Sequence, residues 1–421
     1  MFFLYDLAVL LSWFFLHPAA LFNAKIRQFV RGRKKVFPYL KQHRKKDVPL
    51  IWMHTASLGE FEQGAPVLDK LKAAYPGHQF LVTFFSPSGY EVKKDKLAPD
   101  LVTYLPMDTR RNARRFIRLV QPEIALFVKY EVWPGFFREL DRAGVPILLF
   151  SALFRPGQAY FKWYGGFLRD ALRRVARFYV QDDLSARLLE KHALQEVAVS
   201  GDTRFDRVLE ILEAPRELPF MEKFKGNRTC MVCGSTWPED HQQLLPFMNS
   251  AQKDRCFVIA PHKTDPKTVE ALNKDIGLPS ALYSRIGDTD LREVSVLIID
   301  TIGLLTQIYR YADLAYVGGG FATGLHNTLE PAVFGIPVLI GPQFQGFREA
   351  EELVEAGGIR VIRNAEEFAS QAGEFMSDAS LRSEIGRINT DYIEKNKGAS
   401  DRILKGIREL LPQGNRDRWI F

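Results

Sequence analysis

Short, continuously apolar runs separated by helix-length segments recur along most of the 421 residues, and they constrain the fold more than any single motif. PLIWMHTA (49–56), QFLVTFF (79–85), VTYLPM (102–107), EIALFVK (123–129), VPILLFSA (145–152), RFYVQD (177–182) and EVAVSGD (196–202) form a first series. Strands apolar at successive positions are buried on both faces, which requires a parallel sheet with helices on each side. The pattern lapses between Val208 and Asn227, where Glu, Pro and Lys dominate. A second series follows: RTCMVCGST, CFVIAPH, VSVLIID, DLAYVGG, IPVLIGP and IRVIRN. The fold class is therefore α/β, with two Rossmann-like parallel-sheet domains facing a cleft. The first covers 47–207, a linker covers 208–227, the second covers 228–405, and a tail covers 406–421. Ligands in such sheets bind beyond the carboxyl ends of the strands, so the site is expected in that cleft.

Within the second series, Val317 to Pro342 reads as a nucleotide pocket. A strand ending at Val317 runs into Gly318, Gly319 and Gly320. Without a Cβ these glycines allow a ligand to approach the backbone. His326-Asn327-Thr328-Leu329-Glu330 then opens a helix whose start would favour phosphate. Glu330, one turn in, can accept hydrogen bonds from a ribose diol, or can simply complement the helix dipole.

Residues 1–46 differ from the rest. Met1 to Phe22 is apolar apart from Asp6, Ser12 and His17-Pro18, which is about the length that crosses a bilayer. Ten Lys and Arg and no acid follow between residues 25 and 46. We read a membrane-anchor helix with a basic collar for an anionic inner-membrane surface, N-terminal anchor on the cytoplasmic face. No aromatic-rich RNA-binding motif accompanies the basic block, so nucleic acid is not expected as a partner. Cys230 and Cys233 have CxxC spacing but lie in an apolar strand, without a second pair, so neither zinc nor redox chemistry is expected.

Seven stretches in order resemble the 3-deoxy-D-manno-octulosonic acid (Kdo) transferases, which have the GT-B glycosyltransferase fold. His54–Glu60 is similar to the family's stretch ending in SVGE, Tyr104–Asp108 to YLPxD, and Glu131–Pro134 to ELWP. Ser200–Asp206 resembles GNxKFD, and Gly234-Ser235-Thr236 with Glu239 resembles STHxGE. Asp300–Gly303 is similar to DTxGEL and Gly318–Glu330 to GGS…GGHNxLEP. Departures are Lys129 for a Glu, Ala260-Pro261-His262-Lys263 for PRH, Leu325 and Gly320 for Gly and Ser, and Leu304 for Glu.

The resemblance implies transfer of Kdo from CMP-Kdo to the lipid A precursor (lipid IVA), with inversion and without metal or other cofactor. It assigns Glu60 as general base; spacing alone equally describes a capping box with Ser57. Donor-side residues are Ser235, Thr236, His262, Gly319, Gly320, His326, Asn327 and Glu330. On the acceptor side, Glu131 is either a site carboxylate or the buried partner of a base such as Arg155. The competing readings are another GT-B enzyme with a different nucleotide-activated donor, such as an epimerase or polyol-phosphate transferase, and a GT-B membrane protein without catalysis.

Overall fold

The computed structural model describes residues 2–97, 100–213, 217–287, 289–322 and 324–411. Two compact units emerge. One holds the residues up to Arg207 and takes back those from Lys397 on; the other is Val208–Asn396.

The first unit is built on seven parallel strands: β1 (Leu50–Thr55), β2 (Gln79–Phe84), β3 (Leu101–Tyr104), β4 (Ile124–Val128), β5 (Ile147–Ala152), β6 (Arg177–Val180) and β7 (Val197–Val199). Their order is β3-β2-β1-β4-β5-β6-β7, so the winding reverses between β1 and β4. Every residue of β1, β4 and β5 is buried, as their unbroken apolar runs require. Successive side chains alternate between faces. Trp52, Leu81 and Phe127 pack on Phe116 and Phe136, while Ile51, Met53 and Leu126 pack on Phe61, Leu68 and Leu71.

That second layer is completed from the far end of the chain. Ile403, Leu404, Ile407 and Leu411 join it from the helix Ala399–Leu410 and the residue that follows. Asp206 fixes the return by accepting hydrogen bonds from Gly398 N and Ser400 N, both at 2.6 Å. This corrects the expected extension of the second domain to 405 with a tail from 406. Amphipathic spacing shows that a helix has an apolar face, not which core that face joins. The NRDRWIF segment lies outside the described residues. The expected linker is also largely folded. A helix Thr203–Glu213 runs into it, and a helix Pro219–Lys225 buries Met221 and Phe224 in the second unit. Lys225 Nζ pairs with Asp313 at 2.8 Å there.

The second unit repeats the plan with β8 (Thr229–Thr236), β9 (Arg255–Pro261), β10 (Ser280–Leu282), β11 (Val296–Ile298), β12 (Leu314–Val317), β13 (Val338–Ile340) and β14 (Ile359–Val361). The order is β10-β11-β9-β8-β12-β13-β14, all parallel, with the reversal between β8 and β12.

Two helices precede the first sheet, α1 (Phe2–Phe22) and α2 (Ala24–His43). α1 is long and apolar enough to cross a membrane. Asn23 joins them and caps α2 by accepting from Lys25 N and Ile26 N. Val36 and Leu40 of α2 are part of the first core layer. Gly32 seats the helix on Tyr104; a Cβ there would lie 2.1 Å from the ring. The collar expected on α2 is thereby thinned. Arg33 is buried, stacks over Phe29 and Phe85, and donates to Phe85 O at 2.8 Å. Burial without a carboxylate partner pulls its guanidinium down to about 9. Arg44 donates to Val120 O and Val48 O. Lys25, Arg31, Lys34, Lys35 and Lys41 remain exposed.

Candidate functional site

In the first unit the strand order reverses beside the ends of β1 and β4, where an open α/β sheet presents its ligands. β1 leads through Ser57 into helix α3 (Leu58–Ala74). Glu60 Oε2 accepts from Ser57 N at 2.7 Å and from Ser57 Oγ at 2.9 Å. The capping box is thus formed. Glu60 Oε1 has no hydrogen bond among the described residues, so one oxygen is held by the cap and the other is available for a proton.

At the end of β4, Lys129 adopts φ +62° and turns the chain toward Glu131. Glu131 Oε2 accepts from Trp133 Nε1 at 3.2 Å and lies 3.8 Å from His54 Nε2. His54 is fully buried, with Nδ1 2.9 Å from Thr83 Oγ1, and its Nε2 has no hydrogen-bond partner among the described residues. Arg155 is not the partner of Glu131. Its guanidinium lies 3.0 Å from Asp182, which caps the helix Asp183–Lys191. The structure therefore brings Glu131 together with His54 and separates it from Arg155. Sequence reasoning passed over His54; the available signal was a lone titratable residue inside a fully buried strand.

The YLPMD and EVWP stretches meet here. Asp108 accepts from Gly135 N and Phe136 N, each at 2.9 Å, and so fixes the start of the helix Pro134–Arg142. Burial pushes its carboxyl up to about 6 against these hydrogen bonds.

In the second unit the reversal lies beside β8 and β12, where the glycine stretch sits. The space their missing Cβ atoms leave is filled by the protein itself. A Cβ on Gly318 would lie 2.5 Å from Ser235 O, on Gly319 2.2 Å from Gly324 O, and on Gly320 2.7 Å from Gly341 Cα. Gly319 also has φ +93°. The expected room for a ligand is, on this side of the backbone, room for chain against chain. The helix dipole expectation also needs correction. The helix Leu329–Ala332 has four residues, too few to sum peptide dipoles into a strong anion site.

Asp240 organises this turn. It is buried and accepts from Tyr316 Oη at 2.6 Å, Trp237 N at 2.8 Å and Gly319 N at 3.0 Å. Burial pushes its carboxyl up, opposed by those three donors. Counted from Ser235, the acid of STHxGE falls at residue 240 rather than at Glu239, a signal that the sequence did carry.

Around it, Trp237 stacks on His262 (centroids 4.4 Å apart) and His262 on His326 (4.7 Å). Trp237 Nε1 donates to His326 Nε2 at 3.2 Å, which identifies that nitrogen as the unprotonated one. Burial, and then the neighbouring His262, holds His326 down to about 4. Burial and Lys263 lower His262 as well. The Lys263 ammonium lies 5.3 Å from the Trp237 ring centre. Thr236 faces inward, with Oγ1 2.9 Å from His241 Nε2. Ser235 sits at an irregularity in the β8–β9 pairing with φ +54°. Asn327 Nδ2 donates to Glu330 Oε1 at 3.1 Å, and Thr306 Oγ1 donates to Glu330 Oε2 at 3.0 Å. Asp300 instead accepts from Ser284 N at 2.9 Å. Among the described residues, no group of three or more His, Cys, Asp or Glu could hold a metal ion.

Comparison with known proteins sharpens this arrangement. Residues 30–207 match the family described as 3-deoxy-D-manno-octulosonic-acid transferase (kdotransferase). The chain is 26% identical to a 3-deoxy-D-manno-octulosonic acid transferase of Chlamydia pneumoniae, over 97% of this chain and 96% of that one. It is also 26% identical to the protein of that name from Aquifex aeolicus, over 90% of this chain and 98% of that one. Among solved structures, a UDP-GlcNAc 2-epimerase from Neisseria meningitidis superposes with TM-score 0.62 at 15% identity, covering 86% of this chain and all of that one. MurG of Acinetobacter baumannii superposes with TM-score 0.54 at 12% identity, covering 86% and 99%. At such identities the solved structures establish the fold alone. Over most of its length the chain is thus similar to the Kdo transferases, and its two parallel-sheet units have the GT-B fold.

Proposed function

We propose that the protein transfers Kdo from CMP-Kdo to the lipid A precursor (lipid IVA), inverting the anomeric centre, with Glu60 as general base. The observation that carries this reading is Glu60 itself. It stands at the carboxyl end of β1, with Oε2 fixed by Ser57 and Oε1 unoccupied by any described hydrogen bond. In the transfer, the acceptor hydroxyl oxygen bonds to the anomeric carbon of Kdo. Its proton passes to Glu60, and the bond to the phosphate breaks as CMP leaves with the electron pair. Proton removal in the transition state by a positioned carboxylate contributes roughly 10²–10⁴-fold.

On the donor side, Glu330 and Asn327 accept and orient the ribose diol. His262 and Lys263 stand where the family's arginine is missing and face the leaving phosphate. Ser235 donates to the phosphate or to the Kdo carboxylate, whereas Thr236 is already engaged by His241. Glu131, with His54 behind it, lines the acceptor side. Arg155 has no part in this reading. The enzyme works at the cytoplasmic face of the inner membrane, drawn there by α1 and the exposed Lys25, Arg31, Lys34, Lys35 and Lys41.

One observation favours a second reading. The replacement of the family's PRH by Pro261-His262-Lys263 alters the phosphate contacts and allows a different nucleotide-activated donor. Calorimetric titration separates the two. CMP is expected to bind at least about tenfold more tightly than UMP, a gap of about 1.4 kcal/mol. Equal binding of both nucleotides would overturn the donor assignment.

A further inference from the structure

One face of α1 is less exposed than the other. Phe2, Tyr5, Asp6, Val9, Trp13, Leu16, His17 and Ala20 are partly or fully covered, at the spacing of one helical face. Its beginning is fixed to the folded unit. Tyr5 Oη donates to Asp108 at 2.8 Å, Asp6 accepts from Arg110 N at 2.9 Å, and the Phe2 ring lies edge-on against Phe167. Its end is fixed too, because Arg27 of α2 donates to Ala20 O and Leu21 O. The opposite face is apolar and open: Phe3, Leu4, Leu7, Leu10, Leu11, Phe14 and Phe15 are each more than two-fifths exposed. A helix tied at both ends to one side of the folded unit cannot carry either end across a bilayer.

Beside it runs a feature that the family motifs do not account for. The helix Arg110–Val120 buries Ala113, Phe116, Ile117 and Val120 and exposes five arginines on its other face. With Asp6 of α1 these arginines line a groove of about 730 Å³. Among the described residues, Arg110, Arg111, Arg114 and Arg118 form no ion pair. Arg110 also acts on Arg138, which burial, then repulsion from Arg142 and Arg110, hold below the usual range.

We propose that α1 lies in the plane of the membrane surface, its open face in the acyl boundary, and that Arg111, Arg114 and Arg118 bind phosphates of anionic phospholipid headgroups beside it. This rests on the membrane association in the functional reading above and replaces a spanning anchor by an in-plane one. Charge complementarity selects the occupant: unneutralised guanidiniums beside an exposed apolar helix fit a negatively charged lipid surface.

The test uses the full chain and flotation with vesicles of phosphatidylglycerol and phosphatidylcholine, and with phosphatidylcholine alone. The triple substitution Arg111→Glu, Arg114→Glu, Arg118→Glu is expected to weaken binding to the anionic vesicles by at least about tenfold while leaving binding to the neutral vesicles unchanged. Wild-type binding by the variant, with its fold confirmed by thermal melting, would overturn the arginine assignment. Depth is read separately with a bilayer quencher and single fluorophores at Leu4, Leu11 and Phe14. Equal shallow depths are expected, and a monotonic depth gradient would overturn the in-plane helix. Kdo transfer by the triple variant in detergent is expected to be unchanged. Loss of vesicle binding with transfer intact separates this proposal from the functional reading.

Discussion

Because both Ser57 donors fall on one oxygen of Glu60, capping and catalysis at this position can be separated by substitution. Ser57→Ala removes the hydroxyl donor and is expected to cost about 0.5–2 kcal/mol of stability, read by urea denaturation, with kcat little changed. Glu60→Gln is expected to lower kcat by roughly 10²–10⁴-fold while CMP binding persists. Equal activity loss in both variants would assign Glu60 to the cap alone. One buried and one half-buried histidine predict a pH dependence for the second unit. His241 and His326 are each held down to about 4 by burial, whereas the unfolded side chains titrate near the ordinary value of about 6.5. Between those values the unfolded chain binds more protons, so stability falls as pH drops through that window. Asp108, pushed up to about 6 in the first unit, acts oppositely: its contribution is complete below its unfolded value of about 3.8 and is lost as pH rises through 6. Protection of β8 and β9 amides from hydrogen exchange, corrected for the pH dependence of the intrinsic rate, is expected to fall from pH 6.5 to 4, and less so in His241→Asn. A pH-independent pattern would show that neither histidine is held neutral. At this scale the Ser57–Glu60 capping box was legible, because its spacing alone describes it. His54 and Asp240 were not singled out, although a titratable residue inside a buried strand and the register of STHxGE counted from Ser235 pointed to them; what each one holds is seen only in its partners.

Among the elements, both series of strands could be read from continuous apolar runs, because burial on two faces leaves that mark in any parallel sheet. The return of the helix Ala399–Leu410 to the first unit could not, since its partner surface lies some three hundred residues earlier in the chain. Ile407 is fully buried in that layer. Ile407→Ala is expected to destabilise the first unit by about 2–5 kcal/mol, measured as a lower urea midpoint at unchanged slope. A midpoint shift confined to the second unit would contradict the assignment. Asp206 gives a companion prediction. It holds Gly398 N and Ser400 N, so Asp206→Ala leaves two buried or half-buried donors unpaired and costs about 1–3 kcal/mol for each one left unsatisfied. The basic collar shows the reverse limit: ten basic residues in a row of positions look alike in sequence, yet Arg33 and Arg44 are spent inside the fold.

As a whole molecule the chain distributes its chemistry over two sheets of the same plan, each with its candidate groups beside the strands where the order reverses. The residues proposed for the acceptor side and the base lie on the first, and those proposed for the nucleotide lie on the second. The central claim is the reaction itself. The most direct measurement is a mass-resolved transfer assay with purified protein, enzymatically generated CMP-Kdo and a tetraacyl lipid A precursor. The account predicts a product heavier by one or more Kdo residues with wild-type protein and none with Glu60→Gln. No product from a wild-type protein that binds CMP-Kdo would contradict the assigned acceptor, and full product from Glu60→Gln would contradict the assigned base.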